Sequence, residues 1–183
     1  MAATTATRLS PDDLLRMPDD GWRYELIDGE LQRMAPDNMK HGRWGDNLAF
    51  PLSGHVRQHR LGRVYTNVGF TLFGEPATVL GPDISFVATD REPPIDEQSG
   101  FVAMAPDLAV EILSPSNSAG EIARKVRLYL DAGVRLVWIA DPLSRSVMVH
   151  YPDRTGRMLV EGDTLSGEDV VPGFTLPVAE VFA

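Results

Sequence analysis

The sequence predicts an α/β fold: a mixed β-sheet flanked by helices, with a helix and a hairpin ahead of it. Three observations carry this. Segments of helical period alternate with short apolar runs of strand length. Two helix starts, at Ser10 and Ser118, carry an acid three residues later, as a capping box requires. An Asp28-Gly29 pair separates two strand-like runs, the preferred pair for a tight primed turn. The 183 residues suit one domain, placed at residues 9–183 behind a flexible Thr/Ala-rich lead at residues 1–8.

Taken in order, Ser10 caps a short helix in which Pro11 fits the first position. Residues 24–31 (YELIDGEL) form the hairpin. From residue 40 to 59 the period becomes helical, with Trp44, Leu48, Leu52 and Val56 on one face; Pro51 within that run predicts a kink or break near Leu48. Residues 63–73 and 83–87 are expected strands, and the acidic, Pro-bearing stretch 90–99 a surface loop. Residues 108–113 form a strand, and the helix opened by Ser118 and Glu121 stops near Gly133. Two strands follow at 136–140 and 147–151, and a Gly/Pro-rich tail over 162–183 ends in edge strands and a short turn. The order gives one mixed sheet with helices on its faces.

Composition narrows the function. At 43% hydrophobic and 23% charged residues the chain is an ordinary globular protein, neither collagen-like nor disordered. With no cysteine, disulfides, thiolate metal sites and a cysteine nucleophile are excluded. No apolar run approaches 18 residues, so no membrane span is expected, and no secretory h-region follows the N-terminus; the expected location is cytoplasmic. The formal charge of −9 disfavours indiscriminate nucleic-acid binding.

Three residues resist a purely structural explanation. On the strand 108–113, Leu108, Val110 and Ile112 share one face, and Ala109, Glu111 and Leu113 the other, so Glu111 sits on an otherwise apolar face. A carboxylate buried there costs several kcal/mol unless compensated; the alternative is an edge strand with Glu111 in water. Lys125 borders the inward stripe of the next helix (Ile122, Val126, Tyr129, Leu130), either snorkelling or meeting that acid. Asp83 follows Pro82 at the head of a strand, a common turn feature on its own. If the strands of Asp83 and Glu111 are neighbours, the two carboxylates converge. Oxygen-only ligation of that kind suits Mg²⁺, with Mn²⁺ an alternative.

Together these segments resemble the PD-(D/E)XK restriction-endonuclease-like superfamily, and more closely a bacterial family of restriction-endonuclease-like proteins abundant in cyanobacteria. The likeness runs from about residue 9 to the C-terminus. It is carried by YELIDGEL at 24–31, PDISFV at 82–87, APDLAVEILSPS at 105–116, Lys125 and Tyr129, AGV at 132–134, VWIADP at 137–142 and Gly173-Phe174. It implies a restriction-endonuclease-like core in which Asp83 is the aspartate of the PD element and Glu111 the acid of the next strand. The superfamily lysine stands two residues after that acid, where this chain has Leu113; in the closer family it moves to the following helix, where Lys125 fits. Glu25 would add a carboxylate from the hairpin.

The activity so implied is Mg²⁺-dependent hydrolysis of DNA phosphodiester bonds. Asp83 and Glu111 would bind the metal, Lys125 would act on the attacking water, and Glu25 would complete the shell or hold the lysine. Residues 40–63 carry Lys40, Arg43, Arg57, Arg60 and Arg63 against Asp46 alone, a net +4 in a chain whose remainder sums to −13. With His41 on the inward side of the same helix, they form the candidate DNA contact, or simply a solvated helix with a core histidine. Double-strand cutting needs two sites, so a homodimer is expected. A second reading keeps the fold as a non-catalytic interaction protein, pointed to by the missing E-x-K order and the net charge. A third keeps the nuclease but gives it RNA or branched DNA.

Overall fold

A computed structural model describes residues 8–36 and 38–183; the lead expected at 1–8 lies outside them except for Arg8. The described chain runs α1 (Pro11–Leu15), β1 (Arg23–Ile27), β2 (Glu30–Met34), α2 (Met39–His59), β3 (Gly62–Thr66), β4 (Phe70–Phe73), β5 (Thr78–Leu80) and β6 (Ile84–Ala88). It continues with β7 (Leu108–Ile112), α3 (Ala119–Asp131), β8 (Leu136–Asp141), β9 (Ser146–His150), β10 (Gly156–Val160), β11 (Thr164–Ser166), β12 (Thr175–Pro177) and α4 (Val178–Val181).

Both capping boxes form: Ser10 with Asp13, and Ser118 with Glu121. The hairpin turns at Asp28 (φ 57°) and Gly29 (φ 77°), both in the left-handed region that a type I′ turn demands. Where the sequence predicts a break, α2 runs through Pro51 without interruption. Leu48, Leu52 and Val56 straddle the proline, are each at most 1% exposed and pack on one sheet face. Their burial outweighs the one helical hydrogen bond that proline removes.

The mixed sheet has six strands in the order β10-β9-β8-β7-β6-β3, antiparallel except for the β7–β8 pair, which α3 connects. It is not alone. The hairpin joins β5 and β4 in a second sheet, ordered β2-β1-β5-β4, and β11 pairs with β12 in a third. The strand expected over 63–73 is therefore two strands in different sheets. Asn67 (φ 54°) turns the chain between them, and the Phe101 ring lies where a Cβ on Gly69 would sit, 2.5 Å away. β5 is three residues long and β10 buries only Leu159, so neither shows a hydrophobic period in the sequence.

Strand parity sorts the core into two layers. Even-numbered Leu108, Val110 and Ile112 join Ile84, Phe86 and Trp138 beneath α2. Odd-numbered Ala109, Val137 and Ile139 pack against Val126 and Tyr129 of α3, together with Ile27 and Leu80 of the second sheet. Glu111 belongs by parity to this second layer, where α3 and β1 meet.

Candidate active site

Glu111 lies on a central strand, between β6 and β8, and is 7% exposed. One turn apart on α3, Lys125 and Tyr129 reach the same oxygen: Lys125 Nζ donates to Glu111 Oε1 at 3.0 Å and Tyr129 OH at 2.6 Å. Lys125 Nζ also donates to Glu25 at 3.0 Å, so a single ammonium bridges two buried carboxylates. It does not snorkel to water; its side chain is 14% exposed. The preceding residue, Arg124, pairs with Asp28 at 2.7 Å, fastening α3 to the hairpin a second time.

Asp83 precedes β6 and is 8% exposed. In the antiparallel register of β6 and β7, Ile84 faces Val110 and Ser85 faces Ala109, and one step further places Asp83 opposite Glu111. Its Oδ2 accepts from the Ile112 N–H at 2.7 Å and lies 3.5 Å from His41 Nε2. Its Oδ1 accepts from Arg23 at 3.2 Å. His41 Nε2 donates to the Ile112 carbonyl at 3.0 Å, which places the imidazole inside the site at 8% exposure. Gly81 is gripped from both sides: its N–H donates to Glu25 at 2.9 Å and its carbonyl accepts from Arg23 at 3.3 Å.

The two strand acids have opposite electrostatics. Burial by itself would raise the Asp83 carboxyl, but the His41 and Ile112 hydrogen bonds and the His41 and Arg23 charges outweigh it, holding the group below its ordinary value. Glu111 is pushed up to about 7, first by burial, then by the like charges of Asp83 and Glu25, with Lys125 and Tyr129 opposing. Burial alone would lower Lys125; the Glu111 and Glu25 charges dominate and raise it, so it stays protonated at neutral pH. Tyr129 is raised well above its ordinary value, by burial first and then by Glu111.

Beside Asp83 a cavity of about 220 Å³ opens between the first turns of α2 and the β3–β4 turn, lined in part by His41, Gly45, Asn67 and Ile112. A larger one, about 390 Å³, lies at the opposite end of the sheet around Arg135 and Tyr151, away from these acids.

Of the residues singled out from sequence, Asp83, Glu111, Lys125, Glu25 and His41 meet at one end of the central strands. The basic residues do not gather there. Lys40 and Arg43 lie exposed on the first turns of α2 beside His41, while Arg57 and Arg60 sit some 17 positions on, about 25 Å along the helix. Arg63, on β3, is paired with Glu92 at 2.8 Å. Sequence reasoning missed Arg23 altogether and read Tyr129 only as core. Each had a signal: Arg23 alternates with Glu25 on one strand face, and Tyr129 stands one helical turn after Lys125.

Residues 11–179 match a family model, Uma2, described as "Putative restriction endonuclease". The chain belongs to the Uma2 family. Among solved structures it is similar to "a putative nuclease belonging to DUF820" from Anabaena variabilis ATCC 29413. The TM-score is 0.82 at 23% identity, over 95% of this chain and 97% of that one. That likeness shows the fold: the mixed α/β architecture with a helix-flanked mixed sheet, as the sequence predicts, is the one this Uma2 member adopts. No curated protein matches the chain. No helix among the described residues is long and apolar enough to cross a membrane.

Proposed function

We propose that this Uma2 member is a metal-dependent endonuclease that hydrolyses DNA phosphodiester bonds at the Asp83–Glu111–Lys125 centre. One observation carries the reading: Lys125 Nζ stands 3.0 Å from both Glu25 and Glu111, so the displaced lysine reaches the site from α3.

The donor set fits a hard divalent ion. Asp83, Glu111 and the Ile112 carbonyl offer oxygens at one sheet end, with the His41 imidazole adjacent. Among the described residues no three His, Cys, Asp or Glu side chains cluster as a metal cage. Mg²⁺ suits so sparse a set, because it keeps several waters and takes further oxygens from substrate phosphates. When bound, Mg²⁺ or Mn²⁺ would polarise the phosphate and lower the pKa of a water. Lys125, held protonated, places positive charge against the negative charge that builds on phosphorus in the transition state. Glu25 fixes the lysine. Tyr129 and Lys125 both hold Glu111 Oε1 and so fix the carboxylate in place. The water oxygen bonds to phosphorus and the bond to the 3′ oxygen breaks, giving a 5′-phosphate and a 3′-hydroxyl that takes up a proton. Two copies of the chain would cut both strands.

The test is plasmid nicking in Mg²⁺, Mn²⁺ and EDTA, with wild type beside Asp83→Ala and Lys125→Ala, repeated on RNA and branched DNA. Cleavage that needs the metal and is lost in both variants supports the proposal. Cleavage shared equally by all three proteins is contamination and refutes it. A folded wild type inert on every substrate supports the non-catalytic reading. That reading has one observation of its own, since each acid already holds a protein cation: Asp83 has Arg23, and Glu111 and Glu25 share Lys125.

A further inference from the structure

The helix that walls the cavity beside Asp83 presents another face to solvent. On α2, Met39, Arg43, Asp46, Phe50, Gly54 and Arg57 recur at spacings of three and four residues and so form one stripe, every member of which is exposed. Phe50 stands near its centre with 79% of its surface in water, and Met39 at its start with 94%. Of the exposed large apolar residues, two are aromatic. Trp22 is 39% exposed and has the Arg33 guanidinium over its ring at 4.1 Å. Phe50 has no such cover: among the described residues no ring or cation lies against it, and a Cβ on Gly54, one turn on, would meet nothing within 4 Å.

Charge says what such a ring meets. Arg43 and Arg57 lie two turns before and after it, each about 10 Å away along the helix axis. Neither has an ion pair among the described residues. The acid of the stripe, Asp46, belongs to its cavity side, where Gly42, Gly45 and Ala49 also line the opening towards Asp83. A flat apolar ring between two unneutralised guanidiniums suits a polyanion that also offers π faces. Nucleic acid with unpaired bases has both, whereas a duplex keeps its base faces inside the stack.

We infer that the exposed stripe of α2 binds a single strand of nucleic acid, with a base stacked on Phe50 and phosphates against Arg43 and Arg57. This rests on the nuclease reading for its ligand and deepens it, since the strand that reaches Asp83 is then unpaired along α2. It does not rest on turnover. Stacking accepts any base, so this face carries no recognition sequence.

The experiment is fluorescence anisotropy of a labelled DNA single strand and its matching duplex in Ca²⁺ over a salt series. Wild type is compared with Phe50→Ala, Phe50→Leu, Phe50→Trp and Arg43→Ala, with thermal melting and sedimentation of each protein in parallel. Stacking predicts that Phe50→Ala weakens single-strand binding roughly tenfold and spares the duplex, with the salt slope unchanged because no charge is lost. Phe50→Leu keeps an apolar side chain without a π face and falls with it. Phe50→Trp restores binding, and the strand quenches its added indole. Arg43→Ala instead lowers the slope of log K against log salt on the single strand by about 0.7. Equal single-strand affinity in wild type and Phe50→Ala overturns the inference. So does a Phe50→Leu protein that binds like wild type, or a wild type that binds no single strand at low salt. A wild-type dimer that Phe50→Ala breaks shows the stripe to be covered by a second copy, which also overturns it. If wild type cleaves nothing yet Phe50→Ala loses the strand, the nuclease reading falls and the stacking contact stands. If wild type cleaves and Phe50→Ala matches it in strand affinity, the stacking contact falls and the nuclease reading stands.

Discussion

At the start of β7, Asp107 is 1% exposed; its carboxylate accepts from Arg91 at 2.7 Å and from the Ala88 N–H at 2.9 Å, with Arg135 at 3.9 Å. Four residues on, Glu111 is nearly as buried, but its ammonium partner Lys125 is shared with Glu25, and Asp83 lies opposite in register. At the first end Arg91 and Arg135 serve two carboxylates, Asp107 and Asp169, and both guanidiniums also reach solvent. At the second, three carboxylates gather around one lysine, one arginine and the His41 imidazole. Two acids four residues apart, of similar burial, thus do different work. The Asp107 end is electrostatically closed and ties β7 to the loops below it. At the Glu111 end two carboxylates share one ammonium and a third adds like charge, the condition under which a divalent ion gains from binding.

Substitutions at the two ends should separate accordingly. The largest effect is expected from Asp83→Asn and Glu111→Gln, which should each reduce metal-dependent cleavage by on the order of 10³-fold while thermal melting shows a folded protein. Asp107→Asn should do the reverse, lowering stability by about 2–3 kcal/mol in urea titration with activity per folded molecule intact. A large activity loss without destabilisation in Asp107→Asn would erase the contrast.

A smaller effect concerns pH. Folded Glu111 holds its proton more tightly than the unfolded chain, about 7 against an ordinary 4.5. Between those values the native state binds more protons, so this group's contribution makes stability fall as pH rises from about 4.5 to about 7 and level off above. Metal binding needs the ionised carboxylate, so Mn²⁺ affinity should rise across the same window. Glu111→Gln should flatten both trends, as melting and calorimetry at stepped pH would show. The smallest effect lies on α2. Lys40→Ala and Arg43→Ala, beside His41, should each weaken duplex binding roughly threefold, and Arg57→Ala and Arg60→Ala by less, because those two sit far along the helix.

The parts of this arrangement visible in the sequence are those governed by local periodicity and capping. The oddity of Glu111 on an apolar face, and of Lys125 beside a core stripe, was readable because strand and helix periods assign faces without tertiary knowledge. Both capping boxes and the Asp28-Gly29 turn were readable for the same reason. What escaped depended on contacts between distant segments. The break at Asn67 needs the Phe101 ring, 34 residues away, pressed against Gly69. The second sheet needs β5, too short to show a period. The continuity of α2 through Pro51 is settled by burial of Leu48, Leu52 and Val56, which no propensity records. Arg23 was passed over because its partner Asp83 is 60 positions on.

Gly81 is clasped on its amide by Glu25 and on its carbonyl by Arg23, so β1 grips both sides of the residue that leads from β5 to Asp83. Fraying of the N-terminal hairpin would strip away the tether of Lys125 and the mate of Asp83 in one event. A chain frayed there would lose the charge network of the candidate site while its six-stranded sheet still stood.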